Sequence, residues 1–160
     1  MHGQITRIFL VTMCLLSIMT AARLQAESRR CSTAATAGRW AYTYTGTIFT
    51  PSGPLPAAAV GHFRADAAGN LVGSQTRSVA GSSGVEDISG TNSVNPDCTS
   101  TATINVFVNG QLQRTAVLAV VFDQKMNHAR AIFQSLVLPD GSNIPVVITS
   151  DNSRLFPQDH

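Results

Sequence analysis

From Arg39 onward the chain alternates β-branched or aromatic residues with polar ones in short runs, and each run ends in Gly, Pro, Asn, Asp or Ser. That pattern predicts half-buried strands joined by turns. Eight runs follow one another, at 39–50, 57–65, 71–80, 85–94, 99–108, 111–122, 128–138 and 144–150. The turns between them include Pro51-Ser52-Gly53-Pro54, Gly81-Ser82-Ser83-Gly84, Asn95-Pro96-Asp97 and Pro139-Asp140-Gly141-Ser142. Asn109-Gly110 is the strongest of these signals, because both residues tolerate the positive φ of a two-residue hairpin. No segment keeps a long 3.6-residue period, so helix is expected only in the leading residues and as a turn near either end.

Sequential strands with short connections form a meander, and eight of them can close on themselves and remove both exposed edges. The fold class predicted over 39–160 is therefore all-β, an eight-stranded antiparallel up-and-down β-barrel. A β-sandwich is the alternative, but its Greek-key crossings usually need longer connections. In the first run Trp40, Tyr42, Tyr44 and Ile48 share one face and Thr43, Thr45 and Thr47 the other, so the aromatics should point inward. In the sixth, Leu112, Arg114, Ala116, Leu118, Val120 and Phe122 share a face, with Val117 and Val121 opposite them. This strand reads as apolar on both sides, so either a partner covers it or the alternation fails there.

The residues before the strands alter the charge picture. Arg7 precedes an uncharged run at 8–20, rich in Leu, Ile, Val and Met, and small residues follow. Residues 1–26 read as a secretory signal peptide cleaved after Ala26, with Thr20-Ala21-Ala22 as a second possible site. The run is shorter than the about 20 residues of a spanning helix, so no membrane span is expected after cleavage. Cys14 lies mid-run, not after it, which argues against a lipid anchor. Cleavage removes Arg7 and Arg23 from the 11 basic residues and balances the remainder against 9 acidic ones, so the net charge of +2 belongs to the precursor. A neutral chain lacks the basic footprint of a nucleic-acid binder.

Cleavage also removes one of the 3 cysteines. Cys31 and Cys98 remain as an even pair, and in a secreted or periplasmic protein the default for such a pair is a disulfide. In an up-and-down barrel all odd-numbered strands begin at one end. Cys31, before the first strand, and Cys98, before the fifth, should therefore meet at one rim and pin the segment 27–38 across it.

Gly38-Arg39-Trp40 opens the first strand and Arg154 follows the last run. On these residues and the meander, the chain resembles the calycin group, the lipocalins and their barrel-forming relatives. The resemblance implies structural roles for Gly38, Trp40 and Arg154: Trp plugs one barrel end and the guanidinium stacks on its face, a cation-π contact of about 0.5–2 kcal/mol. The Thr-Asp-Tyr motif of typical lipocalins is absent, as is the helix before their last strand. The chain also resembles the smaller barrel of allene oxide cyclases. Gly61-His62-Phe63, Gly69-Asn70-Leu71, Gly73-Ser74-Gln75-Thr76 and Val94-Asn95-Pro96-Asp97-Cys98-Thr99 are similar to stretches of uncharacterised exported bacterial proteins of this type. The resemblance implies a fold and assigns no active site.

Mid-strand polar residues are the candidate chemistry: His62 with Arg64, Gln75 with Arg77, Glu86, Arg114, Arg130 and Gln134. The candidate ligand-binding set is Tyr42, Tyr44, His62, Gln75, Arg77, Glu86 and Arg114, a few polar groups that could orient a guest in an apolar lumen. No spacing of His62 or His128 enforces a metal site, and Gly81-Ser82-Ser83-Gly84 lacks a nucleophile elbow. Glu86 and Asp87 should face opposite ways, and no loop can cradle a phosphate, so neither metal nor cofactor is expected. Three functions follow as expectations: binding of a small apolar or amphipathic molecule, a cyclase or isomerase activity of the kind the allene oxide cyclase resemblance implies, and an interaction module of the cell envelope, with a homo-oligomer possible.

Overall fold

The structure, a computed structural model, describes residues 31–156; the segment expected to be a signal peptide, with its expected cleavage site, lies outside them. A 3-10 turn at Ala34–Thr36 precedes eight strands: β1 (Gly38–Thr50), β2 (Gly53–Ala65), β3 (Asn70–Val79), β4 (Ser82–Val94), β5 (Thr99–Val108), β6 (Gln111–Phe122), β7 (His128–Val137) and β8 (Val146–Arg154). Each strand pairs antiparallel with its neighbours in chain order. β8 returns to β1, from Trp40 opposite Arg154 to Ile48 opposite Val146, and closes the barrel. The sheet has no free edge, and the sandwich alternative is set aside.

Turn chemistry sets the register. Asn109 and Gly110 have φ of 51° and 77°, and Val108 pairs directly with Gln111 across them. The expected turn at 81–84 contracts to Ala80-Gly81, with φ of 49° and 88°, and β4 begins at once with Ser82. β2 begins four residues before the hydrophobic run predicted it, despite Pro54 and Pro56. The Pro56 carbonyl accepts from the Ala80 amide at 2.9 Å, so this residue's backbone polar groups face the β3 side, and Pro54 faces the same way. Pairing of β2 with β3 starts only at Ala57, so neither missing N–H removes a ladder bond. β8 extends past Ser150 through Asp151-Asn152-Ser153, which makes Arg154 its last residue instead of a residue beyond it.

The alternation in β1 holds: Trp40, Tyr44 and Ile48 are buried and Thr43 and Thr45 are exposed. In β6 Arg114, Ala116, Leu118 and Val120 are buried, while Val121 on the opposite face is 56% exposed. Leu112 departs from its expected face. An irregularity places Leu112 opposite Phe107 and Arg114 opposite Val106, leaving Gln113 as the extra residue. The bulge turns Leu112 outward, to 39% exposure, and keeps Arg114 inside.

One barrel end is plugged. The Cys31–Cys98 disulfide forms, with Cα atoms 5.0 Å apart, and draws the 3-10 turn over the rim. Trp40 is 1% exposed and its indole N–H donates to the Thr36 carbonyl at 2.9 Å. The Arg154 guanidinium lies 4.9 Å from the Trp40 ring centre. It also donates to the carbonyls of Ala37 and Ala35, each at 2.6 Å, and of Met126 at 3.1 Å. Gly38 allows this approach, since a Cβ there would stand 2.6 Å from Arg154 Nη1.

Candidate functional site

Register places one row of residues across four strands. Tyr42 on β1 pairs with Gly61 on β2, Gly61 with Gln75 on β3, and Gln75 with Glu86 on β4. Gly61 occupies an inward position and has no side chain, so the Tyr42 ring passes over β2 to reach β3. The Tyr42 hydroxyl donates to Gln75 Oε1 at 2.8 Å, and Gln75 Nε2 donates to Glu86 Oε2 at 2.6 Å. Arg114 reaches Glu86 from β6 with both terminal nitrogens, Nη1 to Oε1 at 2.8 Å and Nη2 to Oε2. Arg77 Nη1 stands 3.5 Å from Glu86 Oε1, its side chain 21% exposed.

The order of donors follows from the carboxylate. Glu86 can only accept when ionised, so Gln75 turns its amide N–H₂ toward it and leaves its carbonyl for Tyr42. Burial is the largest influence on Glu86 and pushes its pKa up, but the hydrogen bonds and charge of Arg114, with Gln75 and Arg77, prevail and hold it below the usual carboxylate range. Burial, with the nearby Tyr44 and Glu86, raises the Tyr42 phenol well above its ordinary value, so it stays a proton donor. Tyr44 is raised in the same direction, mainly by burial, with Arg77 and Arg114 opposing.

A cavity of about 100 Å³ lies in the lumen beside this row. The rings of Trp40, Tyr42, Tyr44, Phe63, Phe122 and Phe133 line it with aliphatic side chains, and Gln75 and Arg114 are among its polar walls. The structure brings Tyr42, Tyr44, Gln75, Arg77, Glu86 and Arg114 into one neighbourhood, and Tyr42, Tyr44, Gln75 and Arg114 line the cavity. His62 is not among them. It is exposed on the outer face, out of phase with the inward Phe63, and is corrected from the candidate set. Arg64, Arg130 and Gln134 are also exposed on strands, and Arg130 pairs loosely with Asp151 at 4.0 Å. Among the described residues no group of His, Cys, Asp or Glu side chains could hold a metal ion.

Among the polar strand residues of the lining, Asn92, Ser150 and Asn152 escape the sequence reading. Each shares the face of a residue the sequence does single out, Asn92 that of Glu86 and the other two that of Arg154. Their polar groups are engaged locally. Asn92 Oδ1 accepts from Ser100, the Ser150 hydroxyl donates to the Thr43 carbonyl, and Asn152 Nδ2 donates to the Ala129 carbonyl.

Gly61→Ala is expected to destabilise the barrel by about 1–3 kcal/mol, as overpacking does. The new Cβ would stand 2.7 Å from both the Tyr42 hydroxyl oxygen and the Ser74 carbonyl oxygen. Urea unfolding of this variant beside Tyr42→Phe and the double variant checks the cause: removal of the Tyr42 hydroxyl should recover part of the loss.

Comparison of the chain with protein-family models, curated proteins and solved structures gives no match.

Proposed function

We propose that this protein is an exported, calycin-like barrel that binds a small apolar or amphipathic molecule in its lumen. The observation that carries the reading is the cavity of about 100 Å³, walled by six aromatic rings with a polar row on one side. The aromatic walls favour an apolar guest, as an apolar cavity of about 150 Å³ does benzene. Drug-sized ligands occupy roughly 300–1,000 Å³, so the guest here is slender: a small ring or a short alkyl chain. The Gly38, Trp40 and Arg154 arrangement supports the calycin-like reading. The Cys31–Cys98 disulfide is compatible with an oxidising compartment outside the cytoplasm.

A cyclase or isomerase needs a free acid or base facing its substrate. Glu86 is held as a weak base by Arg114 and Gln75, and His62 faces away, so binding is the better-supported function. Native mass spectrometry of protein purified from its own host should detect a bound small molecule. Ala116→Phe, which fills the lumen from β6, should abolish that adduct while circular dichroism still reports the barrel. An adduct that survives lumen filling, or its absence in the wild type together with failure to take up any short-chain probe, overturns the reading.

A further inference from the structure

We infer that the guest carries an anionic group, a carboxylate or similar small oxyanion, at the end that meets Arg114; this rests on the lumen-binding reading. The first ground is charge. Two guanidinium groups, of Arg114 and Arg77, face one carboxylate, Glu86, and among the described residues neither arginine has another acidic partner. The row carries one positive charge in excess, close to a largely apolar lumen. Solvent screens part of it at the partly exposed Arg77, and an entering anion neutralises the rest.

The second ground is hydrogen bonding. Arg114 has five N–H donors, of which the two bonds to Glu86 use two. No buried side-chain nitrogen or oxygen among the described residues lacks a partner, so Arg114 Nε, which has none, is in contact with open space. Several acceptors nearby are already taken: Glu86 by Arg114 and Gln75, Gln75 Oε1 by Tyr42, Asn92 Oδ1 by Ser100. Arg114 lines the cavity and Glu86 does not. At Arg114 the wall therefore offers a donor and positive charge, which selects acceptors and, among acceptors, anions.

The test compares guests of equal chain length and different heads: hexanoate, hexanol and hexylamine, titrated calorimetrically at neutral pH into the protein with its disulfide intact. Hexanoate should bind at least about tenfold more tightly than hexanol, the scale of a charged against a neutral hydrogen bond, and hexylamine should bind least. Arg77→Gln should weaken hexanoate by about three- to tenfold and leave hexanol within about twofold, while Arg77→Lys restores most of the loss. Arg77 is the chosen position because its partial exposure lets it change without unfolding the barrel. Hexanol binding as tightly as hexanoate, or hexanoate indifferent to Arg77→Gln, overturns the anionic head and leaves the lumen reading standing. Binding by none of the three overturns both.

Discussion

Arg114→Met with Glu86 retained is expected to destabilise the barrel by about 3–5 kcal/mol, the penalty of leaving a buried charge without its partner. Glu86 would keep only the Gln75 amide at 2.6 Å and Arg77 at 3.5 Å. Arg77 is partly exposed and screened, so the loss should fall toward the lower end of that range. The double variant Glu86→Gln/Arg114→Met removes both charges and should recover most of it, since a buried pair contributes little beyond the burial it offsets. Urea midpoints for the four members of this cycle, at unchanged m-value, isolate the coupling.

The same residue sets a pH dependence whose sign follows from its surroundings. The folded state holds the Glu86 carboxyl below its usual range, so it favours the ionised form. That contribution is complete above the unfolded carboxyl value, about 4.3, and is lost as pH falls through the lower folded value. In Arg114→Met the balance reverses, because burial then has no strong opponent and raises the folded pKa. The stability gap between wild type and Arg114→Met should therefore narrow as pH falls from 7 toward 4. A gap constant over that range would mean that Glu86 titrates alike in both proteins.

The barrel was legible because its signals are local. Alternation over eight runs and turn residues between them define strands and neighbours without any long-range information, and the odd-strand rule then places Cys31 and Cys98 at one rim. The polar row was legible only in part. Parity shows that Gln75 and Arg77 share a face, but that Tyr42 crosses β2 depends on Gly61 standing opposite it, which is a matter of register between strands. His62 failed for a related reason: its run begins at Gly53, and only the pairing of Phe63 with Trp40 decides which phase faces inward. Leu112 failed because a bulge changes parity within a run while the sequence shows nothing but alternation. The prolines of β2 hid four strand residues, since their neutrality depends on where β3 ends.

Replacing both Cys31 and Cys98 by Ser is expected to lower stability by about 4 kcal/mol on the chain-entropy account of a loop this long. The sequence separation is 67, and nearly all the constraint acts on the unfolded chain. For a domain of this size the melting temperature should fall by roughly 10–20 °C. The folded plug should change far less. Arg154 still donates to Ala35, Ala37 and Met126, and the Thr36 carbonyl still accepts from the Trp40 indole. The chain has one Trp, so its emission reports this end of the barrel without interference. Below the transition the serine variant should keep the blue-shifted emission of a buried indole, and the shift to red should coincide with global unfolding. Emission already red in native buffer would mean instead that the disulfide, not Arg154, holds the 3-10 turn over Trp40, and Arg154→Met in the oxidised protein would then leave the emission unchanged.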